Sequence, residues 1–217
     1  MNNIYFPDSK EIKWDNGVTQ YSSKREGKEV LISYVPPNTK VPPHKHKELQ
    51  IGMVIKGELE MNVGDKFEVM KPLNSMYVCN QYIEHHGENN TNEEVIAVDI
   101  KFDEENDFES RFIEVYKTKE LFPGMEVSFF VDDWVELMIA SIPKDGGKMP
   151  QHKHKNYQVG ICIDGEYDMY IEDEHTKMTL GQVYFCDSKE AHSAINQEDN
   201  DSKSINVFTP PRYNRFK

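Results

Sequence analysis

Short hydrophobic runs recur along the chain, and polar turns separate them. The runs EVLISYV, QIGMVI, ELEMNV, EVIAVDI and SFFVDDWVELMIAS are rich in valine, isoleucine, tyrosine and phenylalanine. Glycine, proline or asparagine interrupts such runs about every 8 to 12 residues, which is the spacing of strands in a sandwich or barrel. The pattern therefore predicts an all-β chain built from antiparallel strands.

The two halves of the chain repeat each other. Residues 44–63 and 152–171 are identical at ten of twenty aligned positions, at an offset of 108 residues. Four further pairs follow at an offset of 107 residues: Tyr77 and Tyr184, Cys79 and Cys186, His85 and His192, Asn89 and Asn196. Self-similarity over half of a chain indicates a duplicated domain. The sequence predicts two domains, residues 1–105 and 106–217.

The segment between the repeats, residues 103–124, has a different pattern. Phe108, Phe112, Val115 and Tyr116 recur at nearly helical spacing. We therefore expect a short helical linker between the two domains.

The composition and charge of the chain argue against nucleic-acid-binding, membrane-spanning and disulfide-rich secreted proteins. The chain has 217 residues, a formal net charge of −13 and a pI near 5.1. Such an acidic protein is unsuited to nucleic acid, because phosphates would be repelled. Neither a membrane-spanning run nor a secretory signal is visible, and three cysteines do not form a disulfide framework. We expect a cytoplasmic protein without a membrane partner, either a monomer or a homodimer.

Most of the histidines lie at positions that are identical in the two copies of the repeat. Six of the eight histidines occupy equivalent positions, in the order His44, His46 and His85, then His152, His154 and His192. A single His-x-His pair is usually exposed or hydrogen-bonded, but here a set of three recurs with a glutamine, Gln50 or Gln158. On a strand, residues two apart point to the same face, so each pair can share one metal ion.

The glutamine cannot lie on the same straight strand as the histidine pair. Four residues at about 3.3 Å each would place Gln50 roughly 13 Å from His46, whereas ligand atoms bond one metal at about 2.0–2.2 Å. The chain must therefore turn at residues 47–49, and at 155–157 in the second copy. We expect a site inside a barrel that is assembled from three strands.

These motifs resemble those of the cupin superfamily. Residues 146–165 match its first motif, G-x5-H-x-H-x3–4-E-x6-G, except that Gln158 replaces the usual glutamate. In the first copy Asn38 also replaces the leading glycine. The second motif, G-x5-P-x-G-x2-H-x3-N, keeps its histidine and asparagine in both copies, but Tyr82 and Lys189 replace its second glycine. The motif places its asparagine four residues after the histidine. Asn89 therefore favours His85 over its neighbour His86 as the ligand.

The resemblance implies two tandem cupin barrels of the double-stranded β-helix, or jelly-roll, type. It also implies two divalent metal ions, one per barrel, iron or cobalt first, with zinc, nickel or manganese as further options. The implied ligands are His44, His46, Gln50 and His85 in one barrel, and His152, His154, Gln158 and His192 in the other.

Both copies carry H-x-H-x3-Q, and the chain also contains LFPGMEVSFFVDDWVELM and the tail SINVFTPPRYNR. With these segments almost the whole chain resembles the bicupin isomerases of bacilysin-type antibiotic biosynthesis. That resemblance implies a metal-dependent isomerase that shifts a ring double bond into conjugation in a cyclohexadienyl 2-oxo acid, dihydro-hydroxyphenylpyruvate. It makes Tyr213 the catalytic and substrate-binding residue. Arg215 follows closely and is a second candidate for binding the substrate, because arginine is suited to carboxylates. Because this tail follows the second copy, catalysis is expected there. The alternative is a cupin dioxygenase acting on a 2-oxo acid or polyphenol.

The ligand types agree with isomerase chemistry. Three imidazoles and one amide are neutral, so they leave the full double charge on a divalent metal, which attracts an anion. Four ligands on a six-coordinate ion leave two positions for the carboxylate and keto oxygens of a 2-oxo acid. The ligand set suits iron, cobalt, nickel, zinc or manganese and does not choose among them.

Overall fold

The computed structural model describes residues 4–212, which form β-strands and connecting turns. The chain divides into two compact units. One unit is Asp8–Glu114, and the other comprises the described parts of Met1–Pro7 and Val115–Lys217. Residues 4–212 contain no helix, and therefore none that is long and apolar enough to cross a membrane.

Eleven strands make the first unit. They are β1 Lys10–Lys13, β2 Thr19–Arg25, β3 Lys28–Val35, β4 Thr39–Lys40, β5 Leu49–Lys56, β6 Leu59–Val63, β7 Lys66–Met70, β8 Ser75–Cys79, β9 His85–Asn89, β10 Val95–Phe102 and β11 Arg111–Glu114. They form a seven-stranded sheet in the order β1-β2-β3-β10-β5-β8-β11 and a four-stranded sheet in the order β4-β9-β6-β7.

Ten strands make the second unit. They are β12 Lys117–Phe122, β13 Met125–Val131, β14 Glu136–Ile142, β15 Gly147–His152, β16 Tyr157–Asp164, β17 Tyr167–Ile171, β18 Glu174–Met178, β19 Val183–Cys186, β20 His192–Asn196 and β21 Ser202–Thr209. Their sheets have the orders β12-β13-β14-β21-β16-β19 and β15-β20-β17-β18. Apart from β11, which has no counterpart among these strands, the second unit repeats the strand order of the first. The predicted pair of jelly-roll barrels is confirmed.

The core of each unit lies between its two sheets. In β6 the side chains of Leu59, Met61 and Val63 are buried and alternate with half-buried neighbours. They pack against residues of the larger sheet such as Val54 and Tyr77. This alternation follows from the two-residue period of a strand, which turns every second side chain inward.

The predicted helical linker is wrong. Residues 111–114 form β11, which pairs antiparallel with β8 through the register Phe112 to Tyr77, and residues 117–122 form β12. Four aromatic and aliphatic residues at helical spacing are only a weak indication of a helix. Hydrogen bonding to the otherwise unpaired edge of β8 favours a strand here instead. The domain boundary near residue 105 stays a prediction, and residues 106–114 lie in the first compact unit.

Candidate metal centres

The three histidines of each repeat converge inside one barrel. His85 opens β9 and forms a β-bridge with His44, and His46 follows in the loop before β5. In the second unit His152 ends β15 and pairs with His192, the first residue of β20. Within each triad, one ring nitrogen per histidine lies within 4.8 Å of the other two. The turn predicted before Gln50 is present, because β5 starts at Leu49.

Backbone carbonyls hold all six rings in the same tautomer. Each Nδ1–H donates to the carbonyl oxygen two residues away, at distances of 2.9 to 3.1 Å: His44 to Pro42, His46 to Glu48, His85 to Ile83, His152 to Pro150, His154 to Asn156 and His192 to Glu190. A neutral imidazole with its proton on Nδ1 has a lone pair on Nε2. Each triad therefore offers three Nε2 atoms as ligands.

A glutamine oxygen adds a fourth donor to each triad. The Oε1 atom of Gln50 lies 2.9 Å from Nε2 of His46, and that of Gln158 lies 3.0 Å from Nε2 of His154. Both atoms of each pair carry lone pairs, because the ring proton is on Nδ1 and the amide oxygen only accepts. Two acceptors at this distance repel each other unless a cation binds both, so the arrangement fits a metal ion.

Two buried nitrogens support the same conclusion. Nε2 of His85 and Nε2 of His192 are buried without a hydrogen-bond partner among the described residues, and the two side chains belong to residues only 2 % and 3 % exposed. Buried polar atoms are nearly always hydrogen-bonded or bound to an ion. Each barrel thus offers one site for a metal ion.

Burial also keeps three of these histidines in the neutral form that binds metals. It lowers the pKa of His85 and of His154 to about 4, and that of His192 to about 3, because a charged imidazole loses its hydration inside the barrel. For His154 and His192 the positive charge of Arg212 contributes in the same direction. Neutral histidines at pH 7 need not lose a proton before they bind a metal.

These pKa shifts predict how stability depends on pH in a chelating buffer. The three histidines have folded-state pKa values below the unfolded value of about 6.5, so the unfolded chain binds more protons at low pH. Their contribution to the free energy of unfolding is complete above pH 6.5 and is lost as the pH falls through about 4 for His85 and His154 and through about 3 for His192. The melting temperature should fall over this window. A melting temperature that is constant from pH 7 to 4 would contradict the lowered pKa values.

Gln50 and Gln158 are each oriented by two further side chains. The Gln50 amide nitrogen donates to the Tyr77 hydroxyl and, at 3.1 Å, to Oδ1 of Asp99, and the Tyr77 hydroxyl also donates to Asp99. In the second barrel the Gln158 nitrogen donates to the Tyr184 hydroxyl at 2.5 Å and to Oδ1 of Asn206 at 3.0 Å. These bonds fix which end of the amide faces the histidines, as outer partners of metal ligands commonly do.

Comparison with known proteins agrees with this geometry. The family model of the cupin domain matches residues 31–101 and again residues 138–208. Each match covers one barrel, and together they cover more than half of the chain. The chain belongs to the cupin family.

A curated relative of this cupin is the protein named H2HPP isomerase from Bacillus subtilis. The two are 54 % identical over 221 residues, which cover 100 % of this chain and 94 % of the relative. Among solved structures, AerE from Microcystis aeruginosa has a TM-score of 0.87 and 24 % identity, covering 96 % of this chain and 100 % of that one. Bacillus subtilis oxalate decarboxylase at pH 4.6 has a TM-score of 0.76 and 10 % identity, covering 97 % and 77 %. These two likenesses concern the fold.

The cupin turns keep their shape although their glycines are replaced. Asn38, Tyr82 and Lys189 adopt left-handed backbone conformations, with φ of 52°, 59° and 70°. The N–H of Tyr82 donates to the carbonyl of His46 at 2.8 Å, and the N–H of Lys189 donates to the carbonyl of His154 at 2.6 Å. The strained turns therefore anchor the loops that present the two histidines.

The cysteines beside the metal sites are not positioned as ligands. Sγ of Cys79 lies 3.4 Å from Nδ1 of His85, on the side of the ring that faces away from its free Nε2. Cys186 has the same relation to His192 at 3.3 Å. Burial raises the pKa of Cys79 to about 12, so it remains a thiol that fills the barrel wall.

The predicted substrate-binding tail is only partly described. Tyr213 and Arg215 lie outside the described residues. The preceding residue Arg212 is held by its backbone N–H, which donates to the buried carboxylate of Glu136 at 2.6 Å. Its guanidinium lies 4.9 Å from the ring centre of Phe208 and lines the cavity of the second barrel.

Proposed function

We propose that this cupin is a metal-dependent isomerase that moves a ring double bond into conjugation in a cyclohexadienyl 2-oxo acid, dihydro-hydroxyphenylpyruvate. The observation that carries the proposal is the 54 % identity, over the whole chain, to a relative named H2HPP isomerase. The two histidine triads support it, because the reaction needs a polarised keto group and no redox change. On this proposal the protein serves bacilysin-type antibiotic biosynthesis in the cytoplasm, as a monomer or homodimer.

The proposed metal ligands are the eight side chains predicted from the sequence: His44, His46, Gln50, His85, His152, His154, Gln158 and His192. All eight donors are neutral, and iron or cobalt suits such a set. A bound divalent ion would polarise the keto group of the substrate and make the adjacent C–H more acidic. None of the eight proposed ligands is a carboxylate, so the metal would keep its full double charge and attract an anionic substrate.

The remaining steps belong to side chains of the protein. A base must remove the proton from the carbon between the keto group and the ring, and a remote ring carbon must then receive a proton. In the second barrel we propose Tyr213 for proton transfer and Tyr213 with Arg215 for binding the carboxylate. The position of Arg212 supports this assignment, because this residue immediately precedes Tyr213 in the sequence and lines the cavity of the second barrel.

The proposal predicts a new ultraviolet band when the metal-loaded protein is mixed with dihydro-hydroxyphenylpyruvate. Extending the conjugation of the ring double bond shifts absorbance to longer wavelength. The band should form at the same rate under air and under nitrogen, and protein treated with a chelator should not produce it. Oxygen uptake that accompanies loss of substrate would instead support the dioxygenase alternative.

A further inference from the structure

The two barrels differ in the strand that pairs with the strand of the proposed glutamine ligand. Three residues of β10 and three of β21 line the cavities, in the order Ala97, Asp99 and Lys101 in the first barrel and Ser204, Asn206 and Phe208 in the second. The rows are equivalent, because Asp99 pairs with Gly52 across the sheet and Asn206 pairs with Gly160. The first row contributes a carboxylate and an ammonium group, whereas the second row is uncharged.

The cavities also differ in size. The cavity of the first barrel has a volume of about 180 Å³, and that of the second barrel about 30 Å³. An engineered apolar cavity of about 150 Å³ holds a benzene molecule, whereas one water needs at least about 10–15 Å³. The first cavity therefore has room for a six-membered ring, and the second has room for a few waters. Methionines from β13, β14 and β17 fill much of the second cavity: Met125, Met138 and Met169.

One oxygen of Asp99 remains available to a ligand. Its Oδ1 accepts from Tyr77 and Gln50, and its other oxygen has no hydrogen-bond partner among the described residues. In the second barrel the corresponding atom is the amide nitrogen of Asn206, which donates to the Ser204 hydroxyl at 3.0 Å. Ala97 stands at the position of Ser204 and offers no such partner. The difference follows from two substitutions between the repeats.

Lys101 supplies a cation to the same cavity. It lies two residues from Asp99 on β10, is half-buried, and forms no ion pair within the part of the chain that the structure describes. Trp14 lines this cavity as well, and its indole N–H donates to Gln20 at 2.9 Å. The cavity thus combines a metal-binding triad, a free ammonium group, an aromatic wall and a carboxylate.

We propose that the first barrel is a catalytic site in its own right, in which Lys101 binds the carboxylate of the 2-oxo acid and Asp99 is the general base. This rests on the proposed isomerase function and departs from the expectation that catalysis occurs in the second barrel. Asp99 takes the proton from the carbon between the keto group and the ring. The C–H electron pair forms the new double bond to the ring carbon, and the electron pair of the old ring double bond forms a new C–H bond at its far carbon with a proton from the Asp99 carboxylic acid, which returns Asp99 to its carboxylate form. Atoms and charge balance without an oxidant.

The test uses single-site variants of the full-length protein. His154→Ala leaves the first barrel intact, and His46→Ala leaves the second intact. In the His154→Ala background, Asp99→Asn should lower kcat by about 100-fold or more, the usual contribution of a general base, with little change in KM. Lys101→Met should raise KM about tenfold, because a charge-assisted contact to the carboxylate is lost. Lys56→Met, which removes an exposed lysine of β5, is the control for lost positive charge.

Two further readouts separate catalysis from structure. Metal content should stay at one ion per chain in Asp99→Asn of the His154→Ala background, since asparagine already occupies the equivalent position 206. Quenching of Trp14 fluorescence by phenylpyruvate should report binding in the first cavity, and Lys101→Met should weaken it while Asp99→Asn should not. Loss of the metal in Asp99→Asn would show a positioning role and overturn the assignment as base.

The outcomes distinguish the two proposals. Activity that survives in His154→Ala and disappears on Asp99→Asn supports the catalytic role of the first barrel. Activity confined to His46→Ala, with Asp99→Asn harmless in the otherwise unchanged protein, overturns that role and leaves the isomerase function standing. A metal-loaded protein that converts no substrate overturns the isomerase function itself, and with it the role of Asp99.

Discussion

A variant that carries both His85→Ala and His192→Ala is expected to bind no divalent metal tightly and to lose at least about 1,000-fold in isomerase activity. Each substitution removes a buried Nε2 atom that has no hydrogen-bond partner among the described residues. Loss of outer partners of a metal ligand already weakens binding by about 10–100-fold, and loss of the ligand itself removes a bond to the metal. A polarised keto group then no longer forms, so both sites should fail together.

The single variants make this expectation quantitative. Elemental analysis should find two metal ions in the unchanged protein, one in either single variant and none in the double variant. His86→Ala is the matched control for metal binding, because its Nε2 lies 3.5 Å from Glu88 and outside the triad. His175→Ala is the control for activity, since that ring stacks on Tyr170 at the surface. Two ions retained in His85→Ala would contradict the proposed ligand set.

The repeat allowed much of the site to be predicted from the sequence. The same set of histidines recurs at nearly the same spacing in both copies, and equivalent residues of a repeat lie on equivalent strands. His44, His46 and His85 could therefore be assigned to one site before the fold was known. The need for a turn before Gln50 followed from strand geometry alone. The candidate ligands could therefore be predicted because their spacing within each repeat can be read directly from the sequence.

Other features depend on contacts between distant strands, and the sequence does not state them. The edge of β8 is covered by β11, and this pairing decided the conformation of a segment that was expected to be a helix. The sequence pairs Tyr77 with Tyr184 but does not show that its hydroxyl bonds Gln50 and Asp99. The sequence contains one indication of polar groups inside the first barrel. Asp99 lies in the mainly hydrophobic run EVIAVDI, and Lys101 directly follows that run.

Gly52 and Gly160, on the strands that carry Gln50 and Gln158, are also required by contacts with a neighbouring strand that the sequence does not show. Gly160 pairs with Tyr184 on β19 and with Asn206 on β21. A Cβ atom at position 160 would lie 2.0 Å from Cε1 and 2.5 Å from the hydroxyl oxygen of Tyr184. Gly52 has the same relation to Tyr77, at 2.3 Å. Only glycine lets the tyrosine ring lie across the strand and reach the amide of the glutamine.

Gly160→Ala is therefore expected to destabilise the protein and to damage the second metal site alone. Overpacking a well-filled core costs typically 1–3 kcal/mol, and the upper end applies because Tyr184 is only 2 % exposed. For a chain of this size about 3 kcal/mol corresponds to a fall of about 6–12 °C in melting temperature. Displacement of the ring removes the hydrogen bond that orients Gln158, so affinity at the second site should fall by about 10–100-fold.

The first barrel is the internal control for this prediction. Calorimetric titration with Co²⁺ should find one site of unchanged affinity and one weakened site in Gly160→Ala, and Gly52→Ala should show the reverse assignment. Adding Tyr184→Leu to Gly160→Ala should recover part of the lost melting temperature, because the leucine side chain does not reach the added methyl group. It should not recover the affinity, because leucine cannot accept the hydrogen bond from Gln158. An unchanged melting temperature in Gly160→Ala would show that Tyr184 can move without cost, and the close packing would then not be what requires glycine here.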